Sequence, residues 1–151
     1  MTDDAYVPLL LIIEDNDEDY ETTVRILRKV STQFLIQRCV HGDDALDFLY
    51  GREKYQSLAP RRPSVILLDL NLPATDGREI LREIKNNASL KTIPVVVLST
   101  SSNPIDIETS YSHGANSYIV KPVDLPAFSH AMQCFNEYWF HIVVLSSRDR
   151  G

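Results

Sequence analysis

The stretch VILLDLNLPATDG, Val65 to Gly77, runs four apolar residues into a single acid, Asp69. It then breaks at a proline and an Asp-Gly turn before a helix-like pattern begins. A continuous apolar run of this length suits a strand covered on both faces, as strands of parallel sheets are. A buried strand that ends on a carboxylate sets an ionisable group at the mouth of the core.

The same arrangement recurs on either side. Leu9 to Ile13 is an apolar run ending in Glu14-Asp15, and Ile93 to Leu98 is one ending in Ser99 and Thr100. Phe34 to Val40 alternates loosely and reads as the second strand; Ser117 to Val120 is a short fifth, ending at Lys121. Helical patterns lie between them. Asp17, Glu18 and Asp19 suit a helix N-terminus, and Arg25, Arg28 and Lys29 its C-terminal end, with Tyr20, Val24, Leu27 and Val30 as the inward stripe. Gly42 to Tyr50 is a short helix with Ala45, Leu46 and Leu49 inward. Gly77 opens a third with Ile80, Leu81, Ile84 and Ala88 on one side. Asn103-Pro104 starts a fourth and Gly114 stops it. Asp124 caps a final long helix running to about Leu145. Gly51 to Pro63 is a long polar connection, and only the first residues and Ser146 to Gly151 read as tails. Strand and helix alternate five times, which predicts an α/β fold: a doubly wound parallel sheet with right-handed crossovers and helices on both faces.

At 151 residues the chain fits a single domain, residues 1–151, with its core between about 8 and 145. A net charge of -6 argues against direct nucleic-acid binding, which needs a basic face. No apolar stretch approaches the roughly 20 residues of a membrane span, and MTDDAYVP has no signal-peptide pattern, so the expected location is cytoplasmic with no membrane contact. Cys39 and Cys134 lie in apolar-periodic segments far from metal-ligand spacing and read as reduced core thiols.

In an open parallel sheet, ligands bind beyond the C-terminal strand ends. If the strands are neighbours, Glu14, Asp15, Asp69, Ser99 and Lys121 meet there. Clustered carboxylates raise one another's pKa unless a cation joins them, and Mg²⁺ suits a few carboxylates plus waters and a phosphoryl group. A carboxylate beside such a metal is a nucleophile toward phosphorus, with Lys121 supplying charge and Ser99 a hydroxyl to the phosphoryl oxygens. The Lys121-Pro122 bond is a candidate for the cis form, which a tight turn into a site favours.

Four motifs now coincide: Glu14-Asp15 after the first strand, LLDLNLPATDG, IPVVVLSTS and SYIVKP. Together, from about Pro8 to Phe140, they resemble the receiver domain of two-component response regulators, as in single-domain chemotaxis regulators. The resemblance implies a flavodoxin-like sheet in order 2-1-3-4-5. It makes Asp69 the phosphoacceptor, fed by a phosphohistidine on a sensor histidine kinase. Glu14 and Asp15 match the acidic pair that holds Mg²⁺, with Asp15 the direct ligand, and Asn71 matches the position whose backbone carbonyl completes the protein ligands. Ser99 matches the switch hydroxyl, Tyr118 the aromatic switch position and Lys121 the phosphoryl-binding lysine. The acyl phosphate is also expected to hydrolyse with Mg²⁺ helping a water attack, and Asn71 and Ser101 lie where they could flank that water. The LSTS variant, the loop YGREKYQSLAPRRP and the EYWF ending resemble more closely the stand-alone receivers paired with cyanobacterial and bacterial phytochromes. On this reading the protein is not an enzyme beyond its own phosphorylation and dephosphorylation, and its output is contact with a downstream protein.

The fourth helix supports switching on its own: Asp106, Thr109, Ser110 and Ser112 are mediocre helix formers. The last helix carries two apolar stripes, one with Leu125, Phe128, Met132, Phe135, Trp139 and Ile142, the other with Ala127, Ala131, Cys134, Tyr138 and Leu145. A helix apolar over so much of its circumference covers its own sheet and one thing more, which predicts a two-fold homodimer through Phe135, Tyr138, Trp139 and Ile142, unless a tail or the long loop covers that face. Three other readings stay open: a non-phosphorylated receiver-like dimerisation module, an aspartyl-phosphate phosphatase, and a flavin site. The complete acid, hydroxyl and lysine set opposes the first. Asn71 in place of an acid two residues after Asp69 opposes the second, and the acidic loop EDNDEDYE opposes the third.

Overall fold

The computed structural model describes residues 7–57, 61–72 and 76–146. The tail residues before Val7 and after Ser146, and parts of the Gly51–Pro63 loop and of the Pro-Ala-Thr turn after Leu72, lie outside the described residues. Five strands, β1 (Leu9–Ile13), β2 (Leu35–Cys39), β3 (Val65–Leu68), β4 (Val95–Ser99) and β5 (Ser117–Val120), form one sheet in the order β2-β1-β3-β4-β5. Every pairing is parallel. This is the doubly wound, flavodoxin-like order, with its switch point between β1 and β3.

Alternation along the strands builds two cores. Leu11, Ile13, Ile66, Leu68, Val95 and Val97 face α2 (Gly42–Tyr50) and α3 (Gly77–Asn86). Leu10, Ile12, Val65, Leu67, Val96 and Leu98 face α1 (Asp17–Val30) and α5 (Leu125–Glu137). The central strands are therefore buried on both faces, which is why they read as unbroken apolar runs. β2 and β5 are the edges, and their side chains, Cys39 apart, are only partly covered or exposed. Caps fix the helix starts: the side chains of Asn16, Asp76, Asn103 and Asp124 each accept a backbone N–H of the first turn. α4 (Pro104–Ser112) buries only Ser110 and contributes to neither core.

Several expectations need correction. The buried face of α1 is Thr23, Ile26 and Leu27; Val30 is the last helical residue and is exposed, as Ile26 takes the inward place. α3 stops at Asn86, so Ala88 lies beyond it and faces solvent. Cys134 is exposed rather than a core thiol, whereas Cys39 is fully buried, and both are free. The peptide bonds of the described residues are all trans, Lys121–Pro122 included.

The final helix does not run regularly to Leu145. α5 passes at Tyr138 into a π-turn, Tyr138–Ile142, closed by the Val143 N–H donating to the Tyr138 carbonyl at 3.0 Å. The extra residue per turn rotates Phe140 onto Phe34, where the rings stack with centroids 4.5 Å apart. Trp139, Phe140 and Leu145 thereby pack on the chain's own core. Phe135 is 3% exposed and belongs to that core, so it is not available as a surface contact; Tyr138 and Ile142 remain exposed. The long connection is anchored as well. Tyr55, in a 3₁₀ turn at Glu53–Tyr55, is buried and donates its hydroxyl to Asp44 at 2.7 Å.

Candidate functional site

The backbone ladder extends one residue past the strands and sets the height of each polar group. The Glu14 N–H donates to the Cys39 carbonyl at 3.0 Å, the Asp69 N–H to Ile13 at 3.1 Å, and the Lys121 N–H to Ser99 at 2.7 Å. Glu14, Asp69 and Lys121 thus leave their strands at one level, around the β1–β3 switch point. Carboxylate oxygens of Glu14, Asp15 and Asp69 all lie within 4.8 Å of one another. Glu14 and Asp69 are buried. The Lys121 ammonium sits 3.0 Å from Glu14, 3.1 Å from Asp19 and 3.7 Å from Asp69.

Electrostatics follow from this crowding. Burial pushes the Glu14 carboxyl up to about 7, and its hydrogen bond and charge contact with Asp69 push the same way, against Lys121. Burial alone would lower the Lys121 ammonium, but Glu14, Asp69 and Asp19 outweigh it and hold it above the ordinary lysine range. The donor set fits a small hard cation: three carboxylates converge, and burial together with the Asp69 contact opposes the charged form of Glu14. Between its unfolded value near 4.5 and about 7, Glu14 binds more protons folded than unfolded. Metal-free protein is therefore expected to lose stability as pH rises through that window. Thermal unfolding in chelator from about pH 5 to 8 should show Tm falling, with the slope reduced in Glu14→Gln. An unchanged slope in that variant would contradict the assignment.

Asn71 donates its N–H to Asp69 Oδ1 at 2.9 Å, which holds the carboxylate's orientation. Ser99 is fully buried, and its hydroxyl oxygen accepts the Ser101 N–H at 3.2 Å. Tyr118 is half-buried and donates its hydroxyl to the Ser101 carbonyl at 2.9 Å. The two expected switch residues therefore hold the same β4–α4 loop residue. Ser101 in turn donates its hydroxyl to Asp106 at 2.6 Å, and Asp106 pairs with Arg78 of α3. Together the Ser101 hydroxyl and the Arg78 guanidinium keep the Asp106 carboxyl below the usual range.

Three participants, Asp19, Arg78 and Asp106, carry no sign of these contacts in the sequence. Asp19 reads there only as an acid of a helix first turn. Its contact with Lys121 crosses 102 residues and leaves no local signal. The Arg78–Asp106 pair joins two helices and is equally silent.

Residues 10–133 match the family model described as the response regulator receiver domain. The chain is 38% identical over 148 residues to response regulator Rcp1 of Synechocystis sp., covering 96% of this chain and 98% of that one. Among solved structures it is similar to the phosphorylated cyanobacterial phytochrome response regulator RcpA, with a TM-score of 0.88 and 37% identity over 94% of this chain and all of that one. It is similar also to the Mn²⁺-bound form of Rcp1, with a TM-score of 0.87 and 36% identity over 93% and 99% of the two chains. Sheet order, acid cluster and family match agree, and the chain belongs to the response regulator receiver domain family.

Proposed function

We propose that this chain is the phosphoacceptor of a two-component pathway and that Asp69 carries the phosphoryl group. The observation that carries the reading is the convergence of Glu14, Asp15 and Asp69 within 4.8 Å beside a lysine ammonium 3.7 Å from Asp69. An Asp69 carboxylate oxygen attacks the phosphorus of a phosphohistidine. The P–O bond forms as the P–N bond breaks, and the departing imidazole nitrogen keeps the electron pair. Lys121 meets the charge on the phosphoryl oxygens, and Ser99 brings a hydroxyl to them. Asp15, Asp69, the Asn71 carbonyl and Glu14 would hold Mg²⁺, which when bound supplies charge neutralisation to the carboxylates and the phosphoryl oxygens.

As Ser99 turns toward the phosphoryl group it releases the Ser101 N–H, and Tyr118 loses the fixed position of the carbonyl it binds. α4, which puts only Ser110 into the interior, follows the loop to which these residues are tied. The similarity to RcpA and Rcp1 along nearly the full chain supports a phytochrome-type histidine kinase as the donor.

The whole chain, residues 1–151, acts as one receiver domain and catalyses only its own phosphorylation and dephosphorylation. It does so in the cytoplasm, and its output is contact with a downstream protein. Among the described residues no helix is long and apolar enough to cross a membrane. Tyr138, Trp139 and Ile142 line the face we assign to a two-fold homodimer; Tyr138 and Ile142 are exposed in the protomer.

The test is phosphotransfer from purified, autophosphorylated histidine kinases of the phytochrome type and of an unrelated type. The reading predicts rapid transfer from the former and slow transfer from the latter. Equal rates would remove the phytochrome assignment, and no transfer from any kinase would remove the phosphoacceptor. Light scattering at micromolar protein should give a dimer mass, and a monomer would refute the interface.

A further inference from the structure

The Lys121 ammonium has three N–H donors and three acidic neighbours. Two of the neighbours are at hydrogen-bond distance, Glu14 at 3.0 Å and Asp19 at 3.1 Å. The third, Asp69, is at 3.7 Å, beyond a hydrogen bond. The residue that receives the phosphoryl group is thus the partner Lys121 holds least closely. Glu14 is buried and extends directly from β1, so it stays where the sheet puts it. Asp19 differs: its side chain is half exposed and lies in the first turn of α1, outside the strand-end cluster. That turn is fixed by Asn16, whose side chain accepts the Asp19 N–H at 2.9 Å. Asp19 and Lys121 also line the same cleft between α1 and the β5–α5 connection, with Thr22, Pro122 and Phe128. Nothing in the phosphoryl-transfer chemistry uses Asp19.

We infer that Asp19 is a positioning residue that holds the Lys121 ammonium off Asp69 until a phosphoryl group competes for it. The inference rests on the proposed function, in which Lys121 binds the phosphoryl oxygens. Asp19 and the phosphoryl group bid for the same ammonium. Whatever attraction Asp19 exerts on Lys121 in the resting protein is subtracted from the affinity for the phosphoryl group. The contact is partly solvated, so its effect is modest: removing it should raise affinity for a phosphoryl mimic about two- to fivefold. The same competition works in reverse. When Lys121 moves to the phosphoryl group, Asp19 is released, and the first turn of α1 loses its link to the site.

The probe is beryllofluoride with Mg²⁺, titrated against the full chain and read by ¹⁹F NMR of the bound fluorides. Asp19→Asn should tighten binding by the stated factor, and Asp19→Glu, which keeps the charge, should restore the wild-type affinity. Removing a charge near any anion site also tightens binding, so Glu18→Gln, on the same helix turn, is the control and should change affinity less. In a Lys121→Gln background, Asp19→Asn should bring no gain, because its partner is gone. A second readout needs neither metal nor mimic: the Lys121 ammonium resonance should shift in Asp19→Asn and stay put in Glu18→Gln. An Asp19→Asn protein with unchanged or weaker affinity, or a gain that persists without Lys121, would overturn the inference while leaving the phosphoacceptor intact. Failure of the wild type to bind beryllofluoride would overturn both.

Discussion

Asp69→Asn is expected to abolish phosphoryl transfer and at the same time to make the metal-free protein more stable. An amide oxygen carries no full negative charge and forms no stable acyl phosphate, so labelling from a small phosphodonor or a kinase falls to background. The gain in stability has a separate cause. Asp69 is one of the groups that push Glu14 up to about 7, through a hydrogen bond and through its charge. Replacing it removes one of two like charges from a buried site, and Lys121 keeps Glu14 and Asp19 as partners. The expected rise is about 1 kcal/mol at neutral pH, a Tm increase of roughly 2–4 °C for a chain of this size. Chemical labelling and thermal unfolding in chelator check the two parts independently. Residual labelling would move the acceptor to another residue. A fall in Tm would mean that Asp69 is held by favourable contacts rather than crowded by Glu14.

Gly77→Ala is expected to lower stability by about 3 kcal/mol, or Tm by roughly 10 °C, although alanine is the better helix former. Gly77 is the first residue of α3 and donates its N–H to the Leu70 carbonyl at 3.1 Å. A Cβ there would stand 2.6 Å from the Leu70 Cα and 2.8 Å from the carbonyl oxygens of Asp69 and Leu70. All three are backbone atoms, so no side chain can swing aside. Either α3 backs away from the sheet or the Asp69–Leu70 backbone shifts. The second outcome disturbs the acid cluster, so weaker Mg²⁺ binding should accompany the lower Tm. Calorimetry with and without Mg²⁺ reads both. A Tm within about 1 °C of the wild type would show that this approach is looser than the distances imply.

The Asp-Gly that opens α3 was legible in the sequence as a turn; the reason for its glycine, a backbone packed against the Asp69–Leu70 backbone just past β3, was not. A similar division runs through the molecule. β1, β3 and β4 announce themselves because strands buried on both faces are apolar at every position. Their polar terminal residues mark the site because the sheet's geometry brings strand ends together. Glu14, Asp15, Asp69 and Lys121, which the structure brings together, could all be named from this rule. What failed to show depended on contacts with no local pattern. Tyr55 sits in a polar loop without periodicity, yet it is buried against Asp44. Val30 and Ile26 both fit a helical stripe, and only packing against the sheet selects Ile26. The π-turn after α5 is set by Phe140 meeting Phe34, an encounter across more than 100 residues. Phe135, an interface candidate in the sequence, is interior because it shares the buried face of α5 with Phe128 and Met132. Asp19 shows the same limit at the site, since a first-turn acid reads as dipole compensation whether or not a lysine waits above it.

The most direct test of the central claim is to map the phosphoryl group chemically. The protein is incubated with phosphoramidate and Mg²⁺, then treated with hydroxylamine, and the peptides are analysed by mass spectrometry. A single hydroxylamine-labile phosphoryl group is expected, with the hydroxamate it leaves behind at Asp69. A phosphoester stable to hydroxylamine on Ser99, a modified acid elsewhere, or no phosphoryl group at all would contradict it.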